Sequence, residues 1–299
     1  MSTKPQNIAQ FFKQFPTDEA CLQHLFNVRF GQGFECPSCG RASKWFRIKA
    51  ERAYSCQFCG HHLHPTVGTP FEQTRTPLQL WFYAIYLFTT TRNGVAAKEL
   101  QRQLGVTYKT AWRMAGLIRE HMADVDGEAL LGGKGKEVEI DETMVGGKRP
   151  GKGKGRHLEN KTIVLGMVER GGQVVTKIVP DVKRASLLPV IKKNVRKGTL
   201  VHTDHLHTYH VLRYEGFTHD RVNHNAGEYV NSRGSHVQTI EGFWAQLKRA
   251  INGTHIHVSG KHLWKYAKEA EYRFNRRHCS ETMVSELLST FQPLTPKRD

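Results

Sequence analysis

Apolar positions along the chain change their spacing twice. Residues 77–91 are so rich in apolar side chains that they read as a buried helix. The stretch "NGVAAKELQRQLGVTYKTAWRMAGLIREHM" (93–122) then settles into helical spacing. A first helix over about 95–103 turns Leu100 inward, "LGV" (104–106) makes a turn, and Thr107 is placed to N-cap a second helix. On that second helix Ala111, Ala115, Ile118 and Met122 form one stripe, leaving Tyr108, Lys109, Thr110 and Arg113 outward. This is the layout of a helix-turn-helix, with a plain helical hairpin as the other reading. Gln101 stands where two such helices approach closely and a small residue is common.

From about 137 the period drops to two. "VEIDETMV" (138–145), "TIVLGMVE" (162–169) and "QVVTKIVP" (173–180) read as strands, the last two joined by Gly171-Gly172 in a tight hairpin. A helix (184–195, interrupted by Pro189), a strand (198–204), a short helix (207–214) and a strand (218–223) follow. An amphipathic helix over 237–251 and a closing helix over about 260–277 complete the series. Strands mixed with helices in this order predict an α/β domain with a mixed sheet.

Length allows two or three domains in 299 residues. The net charge of +17 changes the picture: it predicts attraction to a polyanion, most often nucleic acid. The start lacks the pattern of a signal peptide, and the longest apolar run, "WFYAIYLF" (81–88), is too short to span a bilayer. A soluble intracellular, cytoplasmic protein is expected. There disulfides are rare and clustered cysteines suggest metal.

Four of the six cysteines occur as Cys36-Pro-Ser-Cys39 and Cys56-Gln-Phe-Cys59, sixteen residues apart. Each pair can aim two thiolates at one ion, and two pairs complete the tetrahedron of a structural zinc. Gly40 and Gly60 follow each pair, where a knuckle needs positive φ. One of the nearby His61, His62 and His64 could replace a cysteine as ligand, but four cysteines already suffice, so all three are expected at the surface or facing DNA. Cys21 and Cys279 read as buried structural thiols.

The carboxylates carry the second chemical signal. Asp141 lies on the first long strand, Asp204 ends the fourth, and Glu241 sits on the late helix with Lys248 two turns further along the same face. Alternation puts Glu137, Glu139 and Asp141 on one side of the strand, so Glu137, Glu139 and the adjacent Glu142 are alternative ligands. Oxygen donors converging there suit magnesium (or manganese), and a pair of ions about 4 Å apart serves in-line phosphodiester displacement. Immediately after Asp141 comes the tract "GGKRPGKGKGRHLE", in which Lys148, Arg149, Lys152, Lys154 and Arg156 are positioned to clamp phosphates. Residues 242–279 add eight Lys/Arg against two acids, Arg249 among them. Lys109 and Arg113 are the outward cations of the helix-turn-helix.

The motifs "CPSCG…CQFCG" (36–60), "EIDETMVGGK" (139–148), "HTDHLHTYHVL" (202–212) and "HVQTIEGFWAQLKRAINGTHIHVSGKHLWKYAKEAEYRFNRR" (236–277) resemble the bacterial insertion-sequence transposases of the Merlin-like group. That resemblance implies an N-terminal helical segment (1–34), a zinc ribbon (35–66), a helix-turn-helix (75–124), a ribonuclease H-like catalytic domain (134–280) and a C-terminal tail (281–299). It implies two catalytic aspartates, Asp141 and Asp204, a third ligand at Glu241 and a basic residue at Lys248. Relatives carry asparagine where this chain has Gln238, which leaves Gln238 as the alternative third position. Two magnesium ions, double-stranded DNA as partner, cleavage at terminal inverted repeats, transfer of the 3′-hydroxyl and a homodimer on DNA complete the expectation. The other reading is a DNA-binding regulator that keeps the catalytic fold as scaffold; it would need one aspartate lost, and both are present.

Overall fold

The computed structural model describes residues 7–146, 161–222, 230 and 234–291. Within them the chain divides into two units, one up to His121 and again from Cys279, the other from Met122 to His278.

In the first unit, α1 (Ile8–Gln14) begins at a capping box in which Asn7 and Gln10 each accept the other's backbone N–H. Thr17 caps α2 (Asp18–Arg29) through the Ala20 amide. Three short antiparallel strands follow, β1 (Trp45–Ile48), β2 (Ala53–Cys56) and β3 (His62–Leu63), in the order β1-β2-β3. The apolar run becomes α3 (Leu78–Thr90), whose Trp81, Phe82, Ile85 and Phe88 are fully buried. The helix-turn-helix forms as expected: α4 (Ala97–Leu104) ends at Gly105 in the left-handed region (φ 64°). Thr107 then caps α5 (Tyr108–Asp126) by accepting from the Thr110 amide at 3.2 Å. Ala111, Ala115, Ile118 and Met122 are buried while Lys109 and Arg113 are exposed. Gln101 is accommodated with its side-chain oxygen buried and unpartnered among the described residues.

Two expectations change. Within 281–299, read as a tail, Met283–Ser289 forms a helix, α9, that packs on α2 and α3. Its Leu287 and Leu288 are buried, and their carbonyls meet His121 Nε2 at 2.8 Å and His24 Nε2 at 2.9 Å. Seven residues are too short for a clear helical period, so only tertiary burial reveals the element. Cys279 is exposed, not buried, whereas Cys21 is buried and its thiol is pushed up to about 12, chiefly by that burial.

The second unit is built on a five-stranded sheet ordered β6-β5-β4-β7-β8. Its strands are β4 (Glu137–Val145), β5 (Thr162–Glu169), β6 (Val174–Val179), β7 (Leu200–Thr203) and β8 (Thr218–Arg221). β4, β5 and β6 pair antiparallel; β7 pairs parallel with β4, and β8 with β7. Three antiparallel strands followed by two parallel ones on the far side of the first is the ribonuclease H-like arrangement. The β5–β6 hairpin turns at Gly171 (φ 72°), the left-handed position that the Gly-Gly pair supplies.

Each sheet face has its own core. Val138 and Ile140 of β4, Leu165 and Met167 of β5 and Val201 of β7 pack with Leu187 and Ile191 of α6 (Arg184–Asn194). Tyr209 and Leu212, from a 3-10 helix over His207–Tyr214, join them. On the other face Val164, Val168 and Val174 meet Ile240, Phe243, Trp244 and Leu247 of α7 (Gln238–Arg249) and Leu263 of α8 (Gly260–Asn275). Residues alternate between these faces along β4, so Glu139 and Asp141 belong to the α7 side and Glu142 to the other.

Candidate active site

The first constellation is the cysteine cluster. All four sulfur atoms lie within 4.8 Å of one another, with Cys36 Sγ to Cys59 Sγ at 3.6 Å and Cys39 Sγ to Cys56 Sγ at 3.9 Å. A tetrahedron of thiolates about 2.3 Å from zinc has an edge of roughly 3.8 Å, so the spacing fits that ion. Both knuckles close as expected: Gly40 (φ 66°) donates to Cys36 O at 2.8 Å and Gly60 (φ 71°) to Cys56 O at 3.1 Å. The Ser43 hydroxyl lies 3.3 Å from Cys56 Sγ and the Phe58 amide donates to it at 3.4 Å, contacts that favour the thiolate. Four thiolates leave no open position, so an ion held here would be structural.

The second constellation is on the sheet. Register pairs Ile140 of β4 with Thr203 of parallel β7, which puts Asp141 and Asp204 at the next position on neighbouring strands. They are close enough to feel each other. Asp141 is half-buried, and its carboxyl is pushed up to about 7 by desolvation and by the charges of Glu142 and Asp204. Two hydrogen bonds oppose this, one from the Glu142 backbone and a larger one from α7, where the Trp244 indole N–H donates to Asp141 Oδ2 at 2.9 Å. Asp204 Oδ1 accepts from the Leu206 amide at 3.0 Å, which fixes the bend after β7.

Trp244 reaches Asp141 because β5 leaves room. Gly166 pairs with Asp141 across the β4–β5 ladder, and a Cβ there would lie 2.5 Å from the Trp244 ring and 2.8 Å from Ile240. The need is for space, not for positive φ. Glu241 and Lys248 lie three residues before and four after Trp244, on the adjoining exposed stripe of α7. Arg249 and Gln238 are exposed as well. Asp141, Asp204 and Glu241 do not bring three oxygen atoms within one 4.8 Å cluster; the only such groups among the described residues are the four cysteines and Glu51–His62–His64. The structure therefore joins the two aspartates and leaves Glu241 at the helix surface.

Lys248 lines an open cleft of about 450 Å³ with Met144, Val145 and Gly146, at the end of β4 beyond Asp141. The tract with Lys148, Arg149, Lys152, Lys154 and Arg156 lies outside the described residues.

Glu137, Glu139 and Glu142, alternatives at the sequence level, have other partners. Glu139 is fully buried and caps α7 from the strand: it accepts from Thr239 N (2.8 Å), Thr239 Oγ1 (2.9 Å) and Ile240 N (3.0 Å). Arg170 Nε donates to Oε1, which it shares with the Thr239 hydroxyl, at 2.8 Å, and His236 Nδ1 lies 3.2 Å from the same oxygen. A carboxylate at a helix N-terminus meets unsatisfied N–H groups and the positive end of the macrodipole. Glu137 pairs with Arg170 and, at 3.0 Å, with buried His202. Glu142 accepts from the buried Tyr209 hydroxyl at 2.6 Å on the opposite face. The roles of Glu139, Arg170, Trp244 and Gly166 are invisible to spacing alone. The nearest sequence signal is period two itself, which places Glu139 beside Asp141.

A four-cysteine ribbon and a ribonuclease H-like sheet with adjacent aspartates define a transposase architecture. The comparisons agree. Residues 130–275 match the ISXO2-like transposase domain and residues 16–62 the transposase zinc-ribbon domain, together more than half of the chain. The chain belongs to this family of insertion-sequence transposases. It is 29% identical over 282 residues to an uncharacterized protein in transposable element ISH50 of Halobacterium salinarum, covering 87% of this chain and 92% of that one. It is 35% identical over 106 residues to an uncharacterized transposase-like protein of Haemophilus influenzae, covering 34% of this chain and 81% of that one. The crystal structure of the Mos1 strand transfer complex aligns over 71% of this chain and 79% of that one at 11% identity; its TM-score of 0.25 is too low to bear on fold or function.

Proposed function

We propose that this transposase cleaves phosphodiester bonds at the terminal inverted repeats of its element and transfers the freed 3′-hydroxyl to target DNA. The observation that carries the reading is the Asp141–Asp204 pair: two carboxylates in neighbouring register, one pushed up to about 7 by burial and by acidic neighbours. Such a pair repels itself without a cation and becomes favourable with one. Oxygen donors at a partly solvated strand end suit magnesium or manganese, with Asp141 and Asp204 as the ligands and Glu241 of α7 supplying the third. Bound there, divalent ions would activate an attacking oxygen and offset charge on the leaving oxygen.

The chain's own groups then have separate tasks. Trp244 orients Asp141 by a single hydrogen bond, and Glu139 holds the α7 N-terminus so that Trp244 stays in reach. Lys248, on the cleft wall, contacts a phosphate near the cut; Arg249 and the tract 148–156 hold the duplex backbone. The zinc ribbon and the helix-turn-helix, through Lys109 and Arg113, recognise the element's ends. Two ends must be paired, so a homodimer on DNA is expected, in the cytoplasm and on the nucleoid. No helix among the described residues is long and apolar enough to cross a membrane.

The test uses labelled element-end DNA, target plasmid and Mg²⁺ with the full chain. Wild type yields nicked ends and joined products. Asp141→Ala and Asp204→Ala bind the ends and cut nothing. Comparing Glu241→Gln with Gln238→Ala assigns the third position to the variant that loses cutting. Cutting by either aspartate variant refutes the metal assignment, and cutting without joined products reduces the protein to a nuclease.

A further inference from the structure

Beside the four cysteines, the ribbon carries a second set of ligand atoms that the reading above does not use. Glu51 in the β1–β2 turn and His62 and His64 on and just after β3 place one ligand atom each within 4.8 Å of the others. β3 is the edge strand of the ribbon sheet, and period two sends His62 and His64 to one side while Leu63 between them is buried. Register aligns Ser55 of β2 with His62, so Glu51, four residues earlier, falls on the same side beyond the strand's start. Three donors from two separate segments thus meet on one exposed face.

The three side chains make no hydrogen bond to another described residue. His62 Nδ1 and Glu51 Oε2 are 3.7 Å apart, too far for a hydrogen bond. For N and O ligands about 2.0–2.1 Å from a tetrahedral ion the edge is roughly 3.4 Å, so a small rotamer adjustment completes the approach. Two imidazoles and a carboxylate favour borderline ions such as zinc, cobalt or nickel over magnesium or calcium.

We infer that Glu51, His62 and His64 bind a second divalent transition-metal ion, of the zinc class, on the outer face of the ribbon. Its remaining positions are filled by water, which sets it apart from the closed thiolate site. The cysteine ion clamps the sheet where β2 ends at Cys56, and this ion ties the opposite β1–β2 turn to edge strand β3. The site belongs to the ribbon and is independent of DNA cleavage.

The experiment counts ions on the full chain with Asp141→Ala and Asp204→Ala in every preparation, so that the proposed active-site ions stay out of the count and wild type here means an unaltered ribbon. Each is purified metal-free under reducing conditions and titrated with Co²⁺ and, separately, Zn²⁺. The first cobalt equivalent gives intense thiolate charge-transfer bands. A second adds only weak visible absorption without sulfur character. Two equivalents in wild type, falling to one in Glu51→Gln and in His64→Asn with the thiolate bands intact, is the expected result. A wild type that stops at one equivalent, or variants that keep two, overturns the inference. Should an exchange also disturb the thiolate bands, the wild type decides: nitrogen-15 shifts of His62 and His64 on the second zinc equivalent support the site, and unmoved signals exclude it.

Discussion

Glu139→Ala removes the acceptor for the first backbone N–H groups of α7 and the partner of Arg170 in one step. The carboxylate has no exposed surface, so water cannot replace it. Deleting one partner of a buried ion pair costs about 3–5 kcal/mol, because the remaining charge is stranded. The donors of Thr239 and Ile240 lie inside that figure, since each lost partner is worth about 1–3 kcal/mol and the terms overlap. For a unit of this size each kcal/mol lowers the midpoint by about 2–4 °C, so a drop of roughly 6–20 °C is expected. Glu137→Ala serves as the internal comparison: it also contacts Arg170 and reaches His202, but its side chain is 41% exposed, so water can take its place and its loss should cost about 1 kcal/mol, well below that of Glu139. Thermal and denaturant unfolding of wild type and both variants, followed by far-ultraviolet circular dichroism, measures the difference. Equal midpoints for the two variants would refute the claim that Glu139 anchors α7.

Three further outcomes follow from the same geometry. Gly166→Ala forces a methyl into the Trp244 ring and should cost about 1–3 kcal/mol while lowering cleavage more than end binding, read by unfolding and by gel assays on one preparation. Asp141→Asn should abolish cleavage yet stabilise the metal-free protein. The folded carboxyl, raised to about 7, binds its proton more tightly than the unfolded one at 3.8, so its destabilising effect is absent below about pH 4, grows between pH 4 and 7 and is complete above 7. At 1.36 kcal/mol per pH unit the ceiling is about 4 kcal/mol, so the variant's unfolding midpoint should exceed wild type at pH 8 and match it near pH 4. Cys36→Ser, or zinc removal by chelator, should unfold the ribbon and weaken end binding; unchanged metal content and affinity would contradict the thiolate site.

Much of the architecture was legible beforehand because local and tertiary signals agreed. The strands β4 to β8 lie within two residues of their expected bounds, since each alternates or runs apolar between turn residues. Thr107, Gly105, Gly40 and Gly60 act locally, and a short-range rule suffices for them. The adjacency of Asp141 and Asp204 was an expectation that required the parallel β4–β7 register, which no local pattern contains. What escaped the sequence reading was three-dimensional in origin. Glu139 looks like any strand carboxylate until α7 arrives one hundred residues later to be capped. Trp244 is core by its burial, yet its indole nitrogen is aimed at Asp141. α9 is too short to announce itself, and Cys279 is exposed despite the burial usual for its type.

Diffraction from crystals of the full chain soaked in Mn²⁺, with anomalous maps, bears most directly on the central claim. The account predicts a manganese peak within about 2.0–2.4 Å of oxygen atoms from both Asp141 and Asp204, lost in Asp204→Asn. A fully soaked crystal with no peak there, or with the ion held by one aspartate alone, would contradict it.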